Sequence, residues 1–152
     1  MVAPVKIEES SIVNVLIGKE GADHVWIKIA LPPLDRHDVE GQGHDVAAQI
    51  EISSGPFSGA VRSFFSTREL AAFAKDIEEL YNAVSGTVTL KQLEGHLNLK
   101  MQSKGLGHIQ VQGDARGELA WYAVLHFDFE IDQTFLPNII SELAPMRDIT
   151  RS

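Results

Sequence analysis

The stretch that decides the fold is WYAVLHFDFEID, Trp121 to Asp132, near the C-terminal end of the chain. Its residues alternate between an apolar and a mostly polar side, which is the pattern of a β-strand with one buried face. The apolar side comprises Trp121, Ala123, Leu125, Phe127, Phe129 and Ile131. The other side comprises Tyr122, Val124, His126, Asp128 and Glu130. A sheet containing this strand has one wet face, as antiparallel sheets commonly do.

The same period of two recurs upstream of this strand. It is clear in DHVWIKIAL (23–31), DVAAQIEIS (45–53), HLNLKMQ (96–102) and HIQVQG (108–113). Weaker candidates lie at residues 5–17, 57–65 and 86–93. Short, turn-rich links such as LEGH and SKGLG separate several of these segments, which predicts hairpins and a mostly antiparallel sheet.

The segment STRELAAFAKDIEELYNAVSG (66–86) has helical spacing instead. Its apolar residues recur every three or four positions and form one stripe. The stripe consists of Leu70, Phe73, Ile77, Leu80 and Val84. Ser66 followed by Glu69 is a capping box, which predicts the helix start. Gly86 is of the residue type that commonly follows a helix, so we expect the helix to stop there.

A second helix is predicted over DQTFLPNIISELAP (132–145). Asp132 or Thr134 supplies its cap, Pro137 is tolerated in its first turn, and Pro145 ends it. We expect the tail, from about 146 to 152, to fray.

These elements predict an α+β fold. We expect a mostly antiparallel, curved sheet of about 7–8 strands with the two helices packed on one face. The 152 residues suit a single domain, 1–152, with a flexible loop at about 32–45. The patterns leave the strand order open.

The charge balance bears on the kind of partner. The formal net charge is −8 and the pI is about 5.1. A phosphate backbone repels such a chain, and the sequence contains no compensating Lys/Arg cluster, so nucleic-acid binding is not expected. A basic protein partner is attracted instead. The alternative interpretation is that the charge serves solubility alone.

Other classes are limited by composition. The chain contains no cysteine, which excludes disulfides, thiol nucleophiles and thiolate metal sites. It shows no signal peptide and no apolar run of the roughly 18 residues that a membrane helix needs. We therefore expect a cytoplasmic protein without a membrane partner.

The stretch PPLDRHDVEGQGHDV (32–46) contains carboxylates and imidazoles that bind metals elsewhere. His37 and His44 have neither the helical i, i+4 spacing nor the H-x-H spacing that aims two rings at one ion. Flexible glycines raise the entropic cost of gathering ligands. A solvated loop is favoured over a metal site, and we predict no metal and no cofactor. Ser58, in SGPFSGA, lacks the nucleophile-elbow pattern and is interpreted as a turn or strand residue.

Asp128 and Glu130 point to the same side of their strand, about 6–7 Å apart, as paired glycosidase carboxylates do. Such pairs require a hydrophobic or closely like-charged setting, whereas the polar side of this strand looks wet. A solvated or partner-facing surface is favoured. The alternative is a small enzyme or ligand-binding domain that uses Asp128, Glu130, His126 and His108. If the strands are neighbours, the outward His96, His108 and His126 would cluster.

Three stretches of the chain resemble a family of small bacterial proteins that includes the WapI-type immunity proteins. They are SGPFSGAVRSFFSTRELAAFAKDIEELYNAVSGTVTL (54–90), GHIQVQGD (107–114) and LHFDFEIDQTFLPNIISEL (125–143). The resemblance covers roughly residues 45–144. Its most specific part is the Phe-rich strand that runs into Asp132, Gln133 and Thr134. The first forty residues or so contain no matching motif.

The resemblance implies a non-enzymatic antitoxin that binds and blocks a contact-delivered nuclease toxin in the cytoplasm. A nuclease that binds phosphates tends to be basic, so an acidic inhibitor can mimic its substrate. Aromatic residues on the outward side of strands are candidate hot spots. The candidate partner-binding residues are Trp26, Asp35, Asp38, Glu40, Tyr122, His126, Asp128 and Glu130. No catalytic residue is predicted.

Overall fold

The computed structural model of the protein describes residues 11–31, 45–117 and 123–151. In chain order its elements are β1 (Ser11–Gly18), β2 (His24–Leu31), β3 (Asp45–Ser54), β4 (Phe57–Ser66), α1 (Thr67–Ala83), β5 (Thr87–Lys91), β6 (Leu97–Gly105), β7 (His108–Arg116), β8 (Val124–Asp132), a 3-10 helix (Gln133–Phe135) and α2 (Leu136–Arg151). No helix in these ranges is long and apolar enough to cross a membrane.

The strands of the described residues form two antiparallel sheets of four strands each. The N-terminal sheet has the order β1-β2-β3-β4 and the C-terminal sheet has the order β5-β6-β7-β8. The predicted α+β class and mostly antiparallel pairing are confirmed. The strands are divided between two sheets rather than joined in one, and α1 lies between the two sets along the chain.

A single hydrophobic cluster contains buried residues from both sheets and both helices. On β2, Val25, Ile27, Ile29 and Leu31 are buried, whereas Trp26 and Lys28 on the other side are partly exposed. The period of two therefore identified the inner face of this strand correctly. The helices pack against each other, and α1 also contacts β5 while α2 contacts β1.

Helix α1 begins with the predicted capping box. Ser66 Oγ accepts a hydrogen bond from the Glu69 amide at 3.0 Å, and Glu69 Oε1 accepts one from the Ser66 amide at 3.0 Å. The C-terminal end lies earlier than predicted, because Val84 rather than Gly86 adopts the left-handed cap conformation, with φ 56°. The Val84 amide closes the last turn by donating to the Leu80 carbonyl at 2.9 Å.

The C-terminal segment starts as predicted and ends differently. Asp132 Oδ1 accepts a hydrogen bond from the Thr134 amide at 2.9 Å, so Asp132 is the cap. The prediction that Pro145 ends the helix is wrong, since α2 includes Pro145 and continues to Arg151. Leu143 and Met146, on either side of it, are fully buried. Burying two such side chains stabilises by roughly 3–6 kcal/mol, enough to offset the roughly 3 kcal/mol that an internal proline costs.

Each edge strand of the N-terminal sheet is contacted by a side chain from outside that sheet. On β1, the Asn14 amide donates to Glu142 Oε1 of α2 at 3.0 Å. On β4, the Phe64 carbonyl accepts from Gln92 Nε2 at 2.9 Å. Unpaired edge groups are templates for pairing with other chains, so these contacts protect the edges.

Candidate partner-binding surface

The outer face of the C-terminal sheet carries three of the predicted partner-binding residues. This polar face is defined here by Thr89, Lys91, Asn98, Lys100, Gln110, Gln112, Asp114, His126, Asp128, Glu130 and Asp132. Cross-strand pairing arranges these residues in rows. One row runs across the sheet through Thr89, Lys100, Gln112 and Asp128, and the next runs through Lys91, Asn98, Asp114 and His126.

Two amide side chains hold carboxylates on the polar face. Gln110 Nε2 donates to Asp128 Oδ1 at 3.0 Å, and Asn98 Nδ2 donates to Asp114 Oδ1 at 3.1 Å. Arg116 Nε also lies 3.5 Å from Asp114 Oδ1, so part of that negative charge is balanced. Asp128 is exposed and has no such cationic neighbour within ion-pair distance among the described residues. The negative charge of the face is therefore strongest on β8.

The acidic side chains Asp128, Glu130 and Asp132 follow one another along β8 and are called here the acidic strip. Glu130 Oε2 lies 3.6 Å from His108 Nδ1, with both side chains more than half exposed. Asp132 lies opposite His108 in the strand pairing. The pKa of Asp132 lies below its ordinary value, mainly because the Thr134 amide donates to the carboxylate, with the Thr134 hydroxyl and the nearby His108 acting in the same direction. Asp132 is thus a carboxylate near neutral pH.

A groove of about 680 Å³ opens on the polar face, with lining residues from β5, β6, β7 and β8 and from Ser54 of the other sheet. Gly113 allows β6 and β7 to approach each other there, because a Cβ at this position would lie 1.9 Å from the Asn98 carbonyl oxygen. The Phe127 ring lies over the same position, 2.9 Å from where that Cβ would be. The arrangement gives an open, mixed-charge groove rather than an enclosed cavity.

The three outward histidines do not cluster. His126 lies opposite Asp114 and His108 lies opposite Asp132, so the two are separated by six residues along β8, or about 20 Å. His96 lies away from both, since its Nδ1 is 2.8 Å from Ser63 Oγ on β4 of the other sheet. The conceivable three-histidine site is therefore excluded, because the strand register keeps the rings apart.

Trp26 lies on the outer face of the N-terminal sheet and not on the polar face. Its Nε1 donates to Asn14 Oδ1 at 3.2 Å, and Lys28 Nζ lies 4.2 Å from its ring centroid. Lys28 is in turn paired with Glu51 at 2.8 Å. The indole donor and one ring face are therefore engaged within this sheet.

The remaining predicted residues, Asp35, Asp38, Glu40 and Tyr122, lie outside the described residues, as do His37 and His44. The structure thus places Trp26 on one sheet and brings His126, Asp128 and Glu130 together on the other. Within the described ranges no three His, Asp or Glu side chains are grouped as metal ligands. Ser58 lies in β4 and is exposed.

Several residues of the polar face were not assigned to a site from the sequence. Asn98, Lys100 and Gln112 occupy the outward positions of strands that the alternation identified, but their strands could not be placed beside β8. Asp114 follows the last residue of the predicted strand, HIQVQG, and Lys91 lies in one of the weaker candidates. Only the strand order would have shown that these residues lie on one face.

The chain matches one family of known proteins along most of its length. A family model described as the immunity protein WapI-like family matches residues 17–148. No curated protein and no solved structure matches the chain. Because the match covers most of the 152 residues, the chain belongs to the WapI-like immunity protein family. The matched range begins at the end of β1 and includes the other seven strands, α1 and most of α2. The predicted resemblance is confirmed, and the match starts earlier in the chain than the predicted residues 45–144.

Proposed function

We propose that this protein is an immunity protein that binds and neutralises a basic, nuclease-type toxin in the cytoplasm, through the polar face of its C-terminal sheet. Membership of the WapI-like immunity protein family over residues 17–148 is the observation that carries the proposal. An immunity protein acts by occupying its toxin, so binding rather than turnover is the expected activity.

The charges of the polar face support a basic partner. Asp128, Glu130 and Asp132 follow one another on the exposed side of β8, and Asp114 lies on the neighbouring strand. The chain as a whole carries a formal net charge of −8. Complementary charge raises the rate of encounter and selects the partner, and this effect weakens as salt screens it. A phosphate-binding toxin would meet here a surface that resembles its substrate in charge.

The enzymatic alternative has less support from the geometry. Asp128 and Glu130 lie on an open face, where Gln110 holds the first and His108 lies near the second. His126 is opposite Asp114, so it does not converge with His108 on a shared reacting centre. A general acid–base site needs groups within hydrogen-bond reach of one substrate atom. We therefore favour a binding face.

The experiment is co-expression of this chain with the toxin encoded by the adjacent gene, followed by affinity measurement on the purified pair. Wild-type protein is expected to restore growth, and its affinity should fall as salt rises. The Asp128→Asn/Glu130→Gln variant should bind at least about tenfold more weakly, because charged interface pairs typically contribute that much. The matched control is Asp76→Asn/Glu79→Gln, which removes two exposed carboxylates from α1.

The outcomes separate the parts of the proposal. A toxin that stays fully active beside the wild-type protein contradicts the immunity function. Equal weakening by both variants would mean that overall charge, not the polar face, decides affinity. Binding that is insensitive to salt would exclude a basic toxin surface as the main attraction.

A further inference from the structure

The polar face carries both signs of charge, with lysines on one side of the sheet and carboxylates on the other. Lys91 on β5 and Lys100 on β6 lie on one side of the sheet, whereas Asp114 on β7 and Asp128 on β8 lie on the other. The register places Lys100 in the same row as Asp128, with Gln112 between them. Neighbouring strands are about 4.8 Å apart, so the backbones of these two residues are separated by about 10 Å.

The two lysines are available to a partner. Both are exposed, and neither side chain forms a hydrogen bond or an ion pair with any residue in the described ranges. The carboxylates of Asp114 and Asp128, in contrast, are each held by an amide. Among the described residues, no lysine of the polar face lies within ion-pair distance of a carboxylate, so the charges of the two lysines are not paired within the face.

Against a toxin surface that is basic throughout, Lys91 and Lys100 would each face a like charge. Like-charge juxtaposition across an interface opposes binding, and it is a common way to reject wrong partners. The lysines lie at the groove itself, among the residues that line it, so a partner seated there meets both sides of the face.

We infer that the polar face receives a dipolar toxin surface, with a basic cluster over β7 and β8 and an acidic group over Lys91 and Lys100. This inference rests on the proposed function and adds to it an acidic group on the otherwise basic toxin surface. The lysines would then fix the orientation of the toxin on the face, since only one orientation pairs both signs. They are specificity-determining residues that add selectivity to the attraction supplied by the acidic strip.

The test reverses the charge of both lysines and asks whether the affinity for the toxin falls or rises. The toxin encoded by the adjacent gene, purified and refolded free of this chain, is the probe, and affinity is measured by titration calorimetry. Lys91→Glu/Lys100→Glu should weaken binding by about tenfold or more, because both pairs become repulsive. The matched control, Lys19→Glu/Lys75→Glu, makes the same change in net charge at exposed positions away from the polar face. The control should bind as tightly as wild type or slightly more tightly.

The result that overturns the inference is equal or tighter binding of Lys91→Glu/Lys100→Glu, as expected if the toxin surface is basic throughout. That result, combined with weak binding of Asp128→Asn/Glu130→Gln, leaves the proposed function intact. Weakening by both double variants, with the control unchanged, supports the dipolar surface. An absence of binding by the wild-type protein overturns the proposed function and this inference together.

Discussion

Gln92 Nε2 donates a hydrogen bond to the carbonyl oxygen of Phe64 at 2.9 Å, and this contact joins the link between β5 and β6 to the edge of the N-terminal sheet. The Gln92 side chain is buried, with 4% of its surface exposed. Its Oε1 accepts from the amides of Glu94 at 2.8 Å and His96 at 3.1 Å. One amide group thus satisfies main-chain groups on both sides of the junction between the sheets.

Replacing Gln92 by alanine should destabilise the protein by about 2–4 kcal/mol, because the Phe64 carbonyl and the amides of Glu94 and His96 lose a buried partner. Chemical denaturation monitored by circular dichroism measures the free energy of unfolding. Gln112→Ala, on the solvated polar face, is the control and should change this value by less than about 0.5 kcal/mol. Equal effects of the two substitutions would show that the buried contacts of Gln92 contribute no more to stability than a side chain on the solvated face.

Replacing Gly113 by alanine should also destabilise the fold, by about 2 kcal/mol or more, because the new Cβ would meet the Asn98 carbonyl and the Phe127 ring. Gly59→Ala is the matched control. There the added Cβ would meet only Leu125, at an ordinary 3.7 Å. The control should be neutral or slightly stabilising, since alanine restricts the unfolded chain. A thermal-unfolding comparison in which Gly113→Ala is as stable as Gly59→Ala would contradict the close approach of β6 and β7.

Replacing Val84 by asparagine should stabilise the protein by about 1 kcal/mol. Val84 has φ 56° and is 46% exposed, so it bears left-handed strain while burying little surface. The left-handed conformation costs residues with a Cβ roughly 1–2 kcal/mol, and asparagine tolerates it better than most. Val84→Ala lacks the polar side chain with which asparagine can hydrogen-bond locally in this conformation, so it is expected to gain less. The melting temperatures of the two variants distinguish relief of strain from a change in side-chain packing, and a lower value for Val84→Asn would refute the strain.

The cap at Asp132 predicts a pH dependence of stability. The pKa of Asp132 is lowered in the folded protein, so its carboxylate contributes stability above the ordinary pKa of about 4. This contribution is lost as the pH falls through the lowered folded value. Asp132→Asn keeps a capping side chain without the charge, so wild type should be the more stable near neutral pH and the difference should shrink in acid. Unfolding measured from neutral pH into acid tests this. A stability difference between wild type and Asp132→Asn that does not change with pH would exclude the charge of Asp132 as its cause.

The inner face of a strand such as β2 could be predicted because it depends on neighbours in sequence. The alternation in DHVWIKIAL identified Val25, Ile27 and Ile29 as inward, since a strand turns successive side chains to opposite sides. The capping box could be predicted for the same reason, because Ser66 and Glu69 are only three positions apart. Pro145 shows the limit of such reasoning, because the helix passes through it on the strength of core contacts made by Leu143 and Met146.

The composition of the candidate site could not be predicted in the same way. His96 and His126 occupy equivalent outward positions in their segments, yet His96 contacts β4 while His126 lies on the polar face. Lys100 belongs to the site only because β6 lies two strands from β8. The period of two carries no information about which strands pair, nor about the division of the strands between two sheets.

In both sheets every strand pairs with the one next to it in the chain. Four of the six links between paired strands have five residues or fewer, and the other two span residues 32–44 and 117–123. Little chain entropy is lost in closing such links, and meanders of this kind fold quickly for sheet proteins. Neither sheet needs a strand from the other half of the chain, so its hairpins can form in the order in which the strands are synthesised. Under the proposed function, this sequential pairing would shorten the time that a newly made copy needs before it can bind its toxin.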